Sequence, residues 1–164
     1  MSTIHLHRTT TATPEQYIAG LTDFGPGRSK LFRDSADAYL KVHHEGALEA
    51  DVTEGSNGIW ERLHYDWSDP DRVVLTTTDS NVWGGASGHT YTFTRRPDGR
   101  TDINVVVVRD GKNFKGSVLG LMLGTIGKRV LRSAFEDSLR AIELRNGSLK
   151  HREVVTGMWP NAPA

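Results

Sequence analysis

The sequence predicts an α+β domain in which a curved antiparallel sheet wraps one long helix, with a small-molecule cavity between the two. Three observations predict it. Strand-like segments joined by short turns fill the chain from Tyr39 to Val108. Only one long stretch, Asn113 to Asn146, has helical periodicity, and it follows everything that reads as strand. Finally, Gly116, Gly120, Gly124 and Gly127 crowd the first half of that helix. Each costs about 1 kcal/mol relative to alanine there, so a helix that keeps them has something close to its surface.

Thr3 to Thr11 alternates, with Ile4 and Leu6 on one side and His5 and His7 on the other, as in a half-buried strand. Thr13-Pro14-Glu15-Gln16 supplies an N-cap, a proline at the first helical position and a capping-box glutamine. Tyr17, Ile18 and Leu21 give that short helix its apolar face, and Gly25-Pro26-Gly27 ends it. Arg28 to Phe32 forms a second short helix. Tyr39–His44 and Leu48–Val52 alternate as strands, and Glu54-Gly55-Ser56-Asn57-Gly58 reads as a hairpin loop. Ile59–Trp67 and Arg72–Thr78 are strands around a Ser68–Asp71 turn. Asp79 to Gly88 reads as a loop, followed by strands at His89–Arg95 and Ile103–Val108. In the long helix Leu119, Leu123, Ile126 and Val130, then Leu131, Phe135, Leu139 and Ile142, form the apolar stripe. Glu136, Asp137 and Arg140 are left for water. About 30 such residues make a rod of roughly 45 Å, long enough to cover a sheet.

Composition narrows the function classes. With 164 residues, 37% of them hydrophobic and 24% charged, the chain suits one globular domain with a real core. Twenty basic residues balance twenty acidic ones, which argues against nucleic acid and membrane surfaces as partners. The absence of cysteine removes thiolate chemistry and Cys-ligated zinc, and fits a cytoplasmic setting. The N-terminus lacks the basic and apolar regions of a signal peptide. No apolar run approaches the ~20 residues of a membrane span. The expected domain is residues 1–146, with 147–164 a loosely ordered tail whose Val154, Val155, Met158 and Trp159 could pack on the body.

The element order and three stretches, RTTTATPEQYIAGLTDF (Arg8 to Phe24), WERLHYDWSDPDRV (Trp60 to Val73) and the final helix, resemble the START/SRPBCC superfamily. That superfamily includes birch-pollen-allergen-like and polyketide cyclase/dehydrase-like proteins. The resemblance runs from Thr3 to about Arg145. It implies a helix-grip fold: a seven-stranded antiparallel sheet curled around the C-terminal helix, with a hydrophobic cavity between. It also implies functions ranging from lipid and quinone carriage to aromatase/cyclase chemistry, among which fold cannot choose.

Residue periodicity supplies candidate site residues. If Tyr91 and Phe93 face inward, His89 shares their side, and by the same rule Glu61, Leu63, Tyr65 and Trp67 share a face. A cavity holding His89, Glu61 and Tyr65 would contain a proton donor, a proton acceptor and an orienting hydroxyl, the means for aldol-type cyclisation or dehydration. The plainer reading puts Glu61 on an exposed strand and His89 at the rim, because a buried unpaired carboxylate is costly. Trp83, among glycines, is a candidate gate or a cap on the core. The expected ligand-binding set is Tyr65, Trp83, His89, Tyr91, Phe93, Gly116, Leu119, Gly120, Leu123, Gly124 and Gly127. His5 and His7 face outward and lack a third ligand, so no metal is expected, and no cofactor signature is present. The first expectation is therefore binding or transport of an apolar molecule such as a lipid, isoprenoid, quinone or polyketide, by a monomer or homodimer. A cyclase or dehydratase is the alternative, and a protein-interaction module is the third reading.

Overall fold

The computed structural model describes residues 1–33, 35–113 and 128–157, with side chains described as far as Gly147. Seven antiparallel strands form one sheet: β1 (Ser2–Thr10), β2 (Lys41–Glu45), β3 (Glu49–Ser56), β4 (Ile59–Asp69), β5 (Arg72–Ser80), β6 (Trp83–Arg95) and β7 (Thr101–Gly111). Their spatial order is β1-β7-β6-β5-β4-β3-β2, so β2 to β7 form a meander and β1 closes on the last strand. Short turns between successive strands leave few other topologies. The seven strands, the two short helices after β1 and the long C-terminal helix are the elements expected from sequence.

Helix α1 (Pro14–Leu21) starts on the expected capping box: Thr13 Oγ1 accepts from the Gln16 backbone N–H, and Gln16 Oε1 accepts from the Thr13 N–H. A single 3-10 turn, Arg28–Lys30, follows a left-handed Gly27. Helix α2 is described from Lys128 to Gly157. Its described span runs past residue 146, the expected end of the domain. Gly116, Leu119, Gly120, Leu123, Gly124 and Gly127 lie outside the described residues.

Phe135, Leu139 and Ile142 of α2 are buried against the sheet and α1, with Leu131 partly buried beside them. Val130, counted in the apolar stripe, is instead 63% exposed. Polar contacts tie the helix down between Glu136 and Arg145. Arg8 of β1 pairs with Glu136, and Arg33 with Asp137 at 3.2 Å. Glu143 accepts from the Thr10 hydroxyl at 2.6 Å, and Asp23 pairs with Arg145 at 2.7 Å. Glu136 and Asp137 therefore tie α2 down rather than simply facing water.

The α1–α2 crossing is tight. A Cβ built on Gly20 would stand 3.0 Å from Ile142 Cγ1. Gly20→Ala would gain up to about 1 kcal/mol of helix propensity but overpack the crossing at a cost of about 1–3 kcal/mol. The net expectation is a loss of about 1 kcal/mol or more, read from the midpoint shift in urea unfolding. An unchanged or raised midpoint would show that Ile142 has room to move.

Two sequence expectations about loops are corrected. The β3–β4 turn uses only Asn57 and Gly58, both at positive φ (52° and 78°), as a type I′ hairpin requires. Glu54 is consequently a strand residue. The expected loop Asp79–Gly88 is also mostly strand, because its glycines form a bulge: β6 shifts register against β7 between Gly84 and Gly88. Gly85 sits at φ 58° with Asp110 against the place a Cβ would occupy. Ser87 Oγ donates to the Gly84 carbonyl at 2.7 Å and accepts from the Asp110 N–H at 2.8 Å.

Candidate functional site

A cavity of about 360 Å³ lies between the concave face of the sheet and the helices. Its wall is mostly apolar, with Leu63, Leu75, Val105 and Val107 on the sheet side and Ala134 and Phe135 on the α2 side. Two polar clusters are set into this wall, each built around an arginine.

The first cluster joins Arg28, Glu54, Tyr65 and Ser35. Strand parity places Ala50, Val52 and Glu54 on one face, and Glu54 is buried with them. Arg28, only 3% exposed, donates through Nε to Glu54. It also donates to the Leu21 and Asp23 carbonyls, both at 2.9 Å, and to the Tyr65 hydroxyl at 3.1 Å. Those two carbonyls lie at the C-terminal end of α1, where the helix dipole favours a cation. The Tyr65 hydroxyl donates to Glu54 Oε2 at 2.5 Å, and Ser35 Oγ donates to Oε1 at 2.9 Å. The guanidinium lies over the Phe24 and Phe32 rings, 4.8 and 4.9 Å from their centroids. Burial, with the Glu54 charge beside it, pushes the Tyr65 hydroxyl well above its ordinary value, so it stays protonated.

The second cluster joins Arg109, Glu61, His89, Thr77 and Trp83. Arg109 meets both oxygens of Glu61 at 2.9 Å in a two-pronged ion pair. The same guanidinium lies 2.7 Å from His89 Nε2 and 5.3 Å from the Trp83 ring centroid. Thr77 Oγ1 donates to Glu61 Oε2 at 3.0 Å. Since guanidinium can only donate, His89 Nε2 accepts and the ring proton resides on Nδ1. Burial, reinforced by the Arg109 charge, holds the imidazole well below its ordinary value and hence neutral at pH 7. By surface area His89 is only half-buried, and it forms part of the cavity wall.

Glu54 and Glu61 are direct cross-strand partners in the β3–β4 register. Like charges at such a position repel. Here each is neutralised by an arginine from elsewhere in the chain.

Of the residues expected from sequence, Tyr65, Trp83, His89 and Tyr91 line the cavity, and so does Glu61. Phe93 shares their face but is packed on Tyr17 at 5.5 Å between ring centroids, away from the lining. Glu61 and His89 meet through Arg109, whereas Tyr65 belongs to the other cluster. Trp83 is 6% exposed and in strand, stacked on Arg109. Arg28, Glu54 and Arg109 were missed. His5 and His7 are exposed on the outer face, and among the described residues no three His, Asp or Glu side chains converge as a metal site. No described helix is long and apolar enough to cross a membrane.

No protein-family model matches the sequence, and no curated protein does. Solved structures do match. A START superfamily protein from Mycobacterium smegmatis superposes with a TM-score of 0.64 at 10% identity, over 91% of this chain and 99% of that one. The Zhui aromatase/cyclase from Streptomyces sp. R1128 gives 0.63 at 14% identity, over 87% and 92%. TTHA0849 from Thermus thermophilus gives 0.61 at 16% identity, over 87% and 95%. At such identities the likeness establishes the fold alone, a helix grip.

Proposed function

We propose that this chain binds an apolar small molecule in the cavity between sheet and helices. The observation that carries the reading is the 360 Å³ cavity itself, which falls within the usual range of small-molecule sites, about 300–1,000 Å³. Its mostly apolar wall with a few fixed polar groups is the composition such sites have. The solved START protein and aromatase/cyclase of the same fold are consistent with it. The test is native mass spectrometry of the purified protein before and after solvent extraction, with titration of an apolar fluorescent probe. Ala134 lines the cavity from α2 and is not fully buried, so Ala134→Phe should fill space without breaking the core. The variant is expected to fold normally and to lose at least about tenfold in probe affinity. Unchanged binding would place the ligand elsewhere.

The Glu61–Arg109–His89 cluster favours a second reading, a cyclase or dehydratase. With Nε2 occupied by Arg109, His89 is a proton donor through Nδ1 rather than a base. Such a donor would hydrogen-bond a ligand carbonyl and favour its enol form, the α-proton leaving to solvent water and the oxygen taking a proton back from it. His89→Gln keeps an acceptor for Arg109 and removes the transferable proton. Turnover of a polyketone substrate is expected to fall about 100-fold or more if the reading holds, and unchanged turnover would remove His89 from the chemistry.

A further inference from the structure

We propose that the cavity selects electroneutral, oxygen-bearing ligands over their carboxylate analogues, with Glu61 as the residue that enforces the choice. The inference rests on the binding reading above and assigns it a ligand class. Three cations line the cavity among the described residues, and none is free: Arg28 is held by Glu54, Arg109 by Glu61, and Arg33 at the rim by Asp137. A ligand carboxylate would therefore leave water and find no uncompensated positive charge to replace its hydration. His89 does not rescue it, since protonating that ring would set a second cation against Arg109.

What the wall does offer is neutral donors. The Tyr17 hydroxyl is buried, and it has no partner among the described residues. Burial, with Tyr91 beside it, holds that phenol well above its ordinary value, so it stays protonated. Because its oxygen is closed off, a ligand reaches it only when the side chain shifts. His89 Nδ1–H is the second donor. Tyr91 neighbours both rings, its centroid 5.8 Å from that of Tyr17 and 6.4 Å from that of His89. A ketone, quinone or phenol oxygen matches such donors because it accepts hydrogen bonds without bringing charge.

The experiment compares matched pairs of two- and three-ring aromatics, such as 2-acetylnaphthalene against 2-naphthoate, by calorimetry at pH 7. In the wild type the ketone is expected to bind at least about tenfold more tightly than the carboxylate. Glu61→Gln keeps hydrogen-bonding atoms facing Arg109 and Thr77 but frees the guanidinium charge. It is expected to shift the ketone-to-carboxylate affinity ratio about tenfold toward the carboxylate. Equal wild-type affinities for ketone and carboxylate would overturn the selectivity, as would an E61Q variant with an unchanged ratio. If neither member of any pair binds, the binding reading itself fails. The wild-type comparison decides the matter alone should the variant not fold.

Discussion

Replacing Arg28 with alanine is expected to destabilise the protein by about 3–5 kcal/mol, the usual cost of stripping one partner from a buried ion pair. The energy comes less from the pair's own attraction than from what the deletion leaves behind. Glu54 would stay buried with its charge uncompensated, and the Leu21 and Asp23 carbonyls would lose a donor. Phe24 and Phe32 would face a void where the guanidinium had been. Because the penalty belongs to the orphaned partner, it should not add. Glu54→Leu made in an Arg28→Met background is expected to cost clearly less than Glu54→Leu in the wild type. Urea unfolding of the four proteins in this cycle measures the coupling. Additive losses would mean that the two charges are solvated independently, and that the cluster does not brace the cavity.

That cluster also shows where sequence reasoning stopped. Period-two arithmetic groups Glu61 with Leu63 and Tyr65, and His89 with Tyr91 and Phe93, each set on one face of its strand, and leaves open which face lines the cavity. The same arithmetic, carried two residues further, would have found the missing arginine and glutamate. Ala50 and Val52 lead to Glu54, and Val105 and Val107 lead to Arg109. Both were lost because charged residues at the end of an apolar run read as the point where a strand leaves the core. Glu54 was further hidden by Gly55-Ser56-Asn57-Gly58, whose turn chemistry suits a loop longer than the two-residue turn that forms. Glycine misled again around Trp83, where it marks a bulge inside a strand. Arg28 was beyond reach for another reason. Nothing local distinguishes it from the exposed Lys30, and only the tertiary meeting of the 3-10 turn with β3 and β4 buries it. The helix's contact side was legible at Phe135, Leu139 and Ile142, where three- and four-residue spacing meets the sheet.

Acid is expected to weaken the fold from about pH 6.5 downward, before the carboxylates contribute. His89 has a native value well below the 6.5 of a free imidazole. Between those two values the unfolded chain binds a proton that the native state refuses, so stability rises with pH across that window and is lost as pH falls through it. One such group contributes at most about 1.4 kcal/mol per pH unit. The groups that face it reinforce the direction. Arg109 at 2.7 Å opposes a second positive charge, and Glu61, which shares that guanidinium, is already committed to it through both oxygens. Paired surface carboxylates act later: Glu15 and Asp98 are held down to about 2, so their contribution is lost only at lower pH. Urea midpoints measured from pH 8 to pH 5 should therefore decline in the wild type and stay flatter in His89→Gln, whose amide does not titrate. Parallel curves would mean that His89 accepts a proton in the folded protein, which requires Arg109 to swing away from its ring and break one side of its pairing with Glu61.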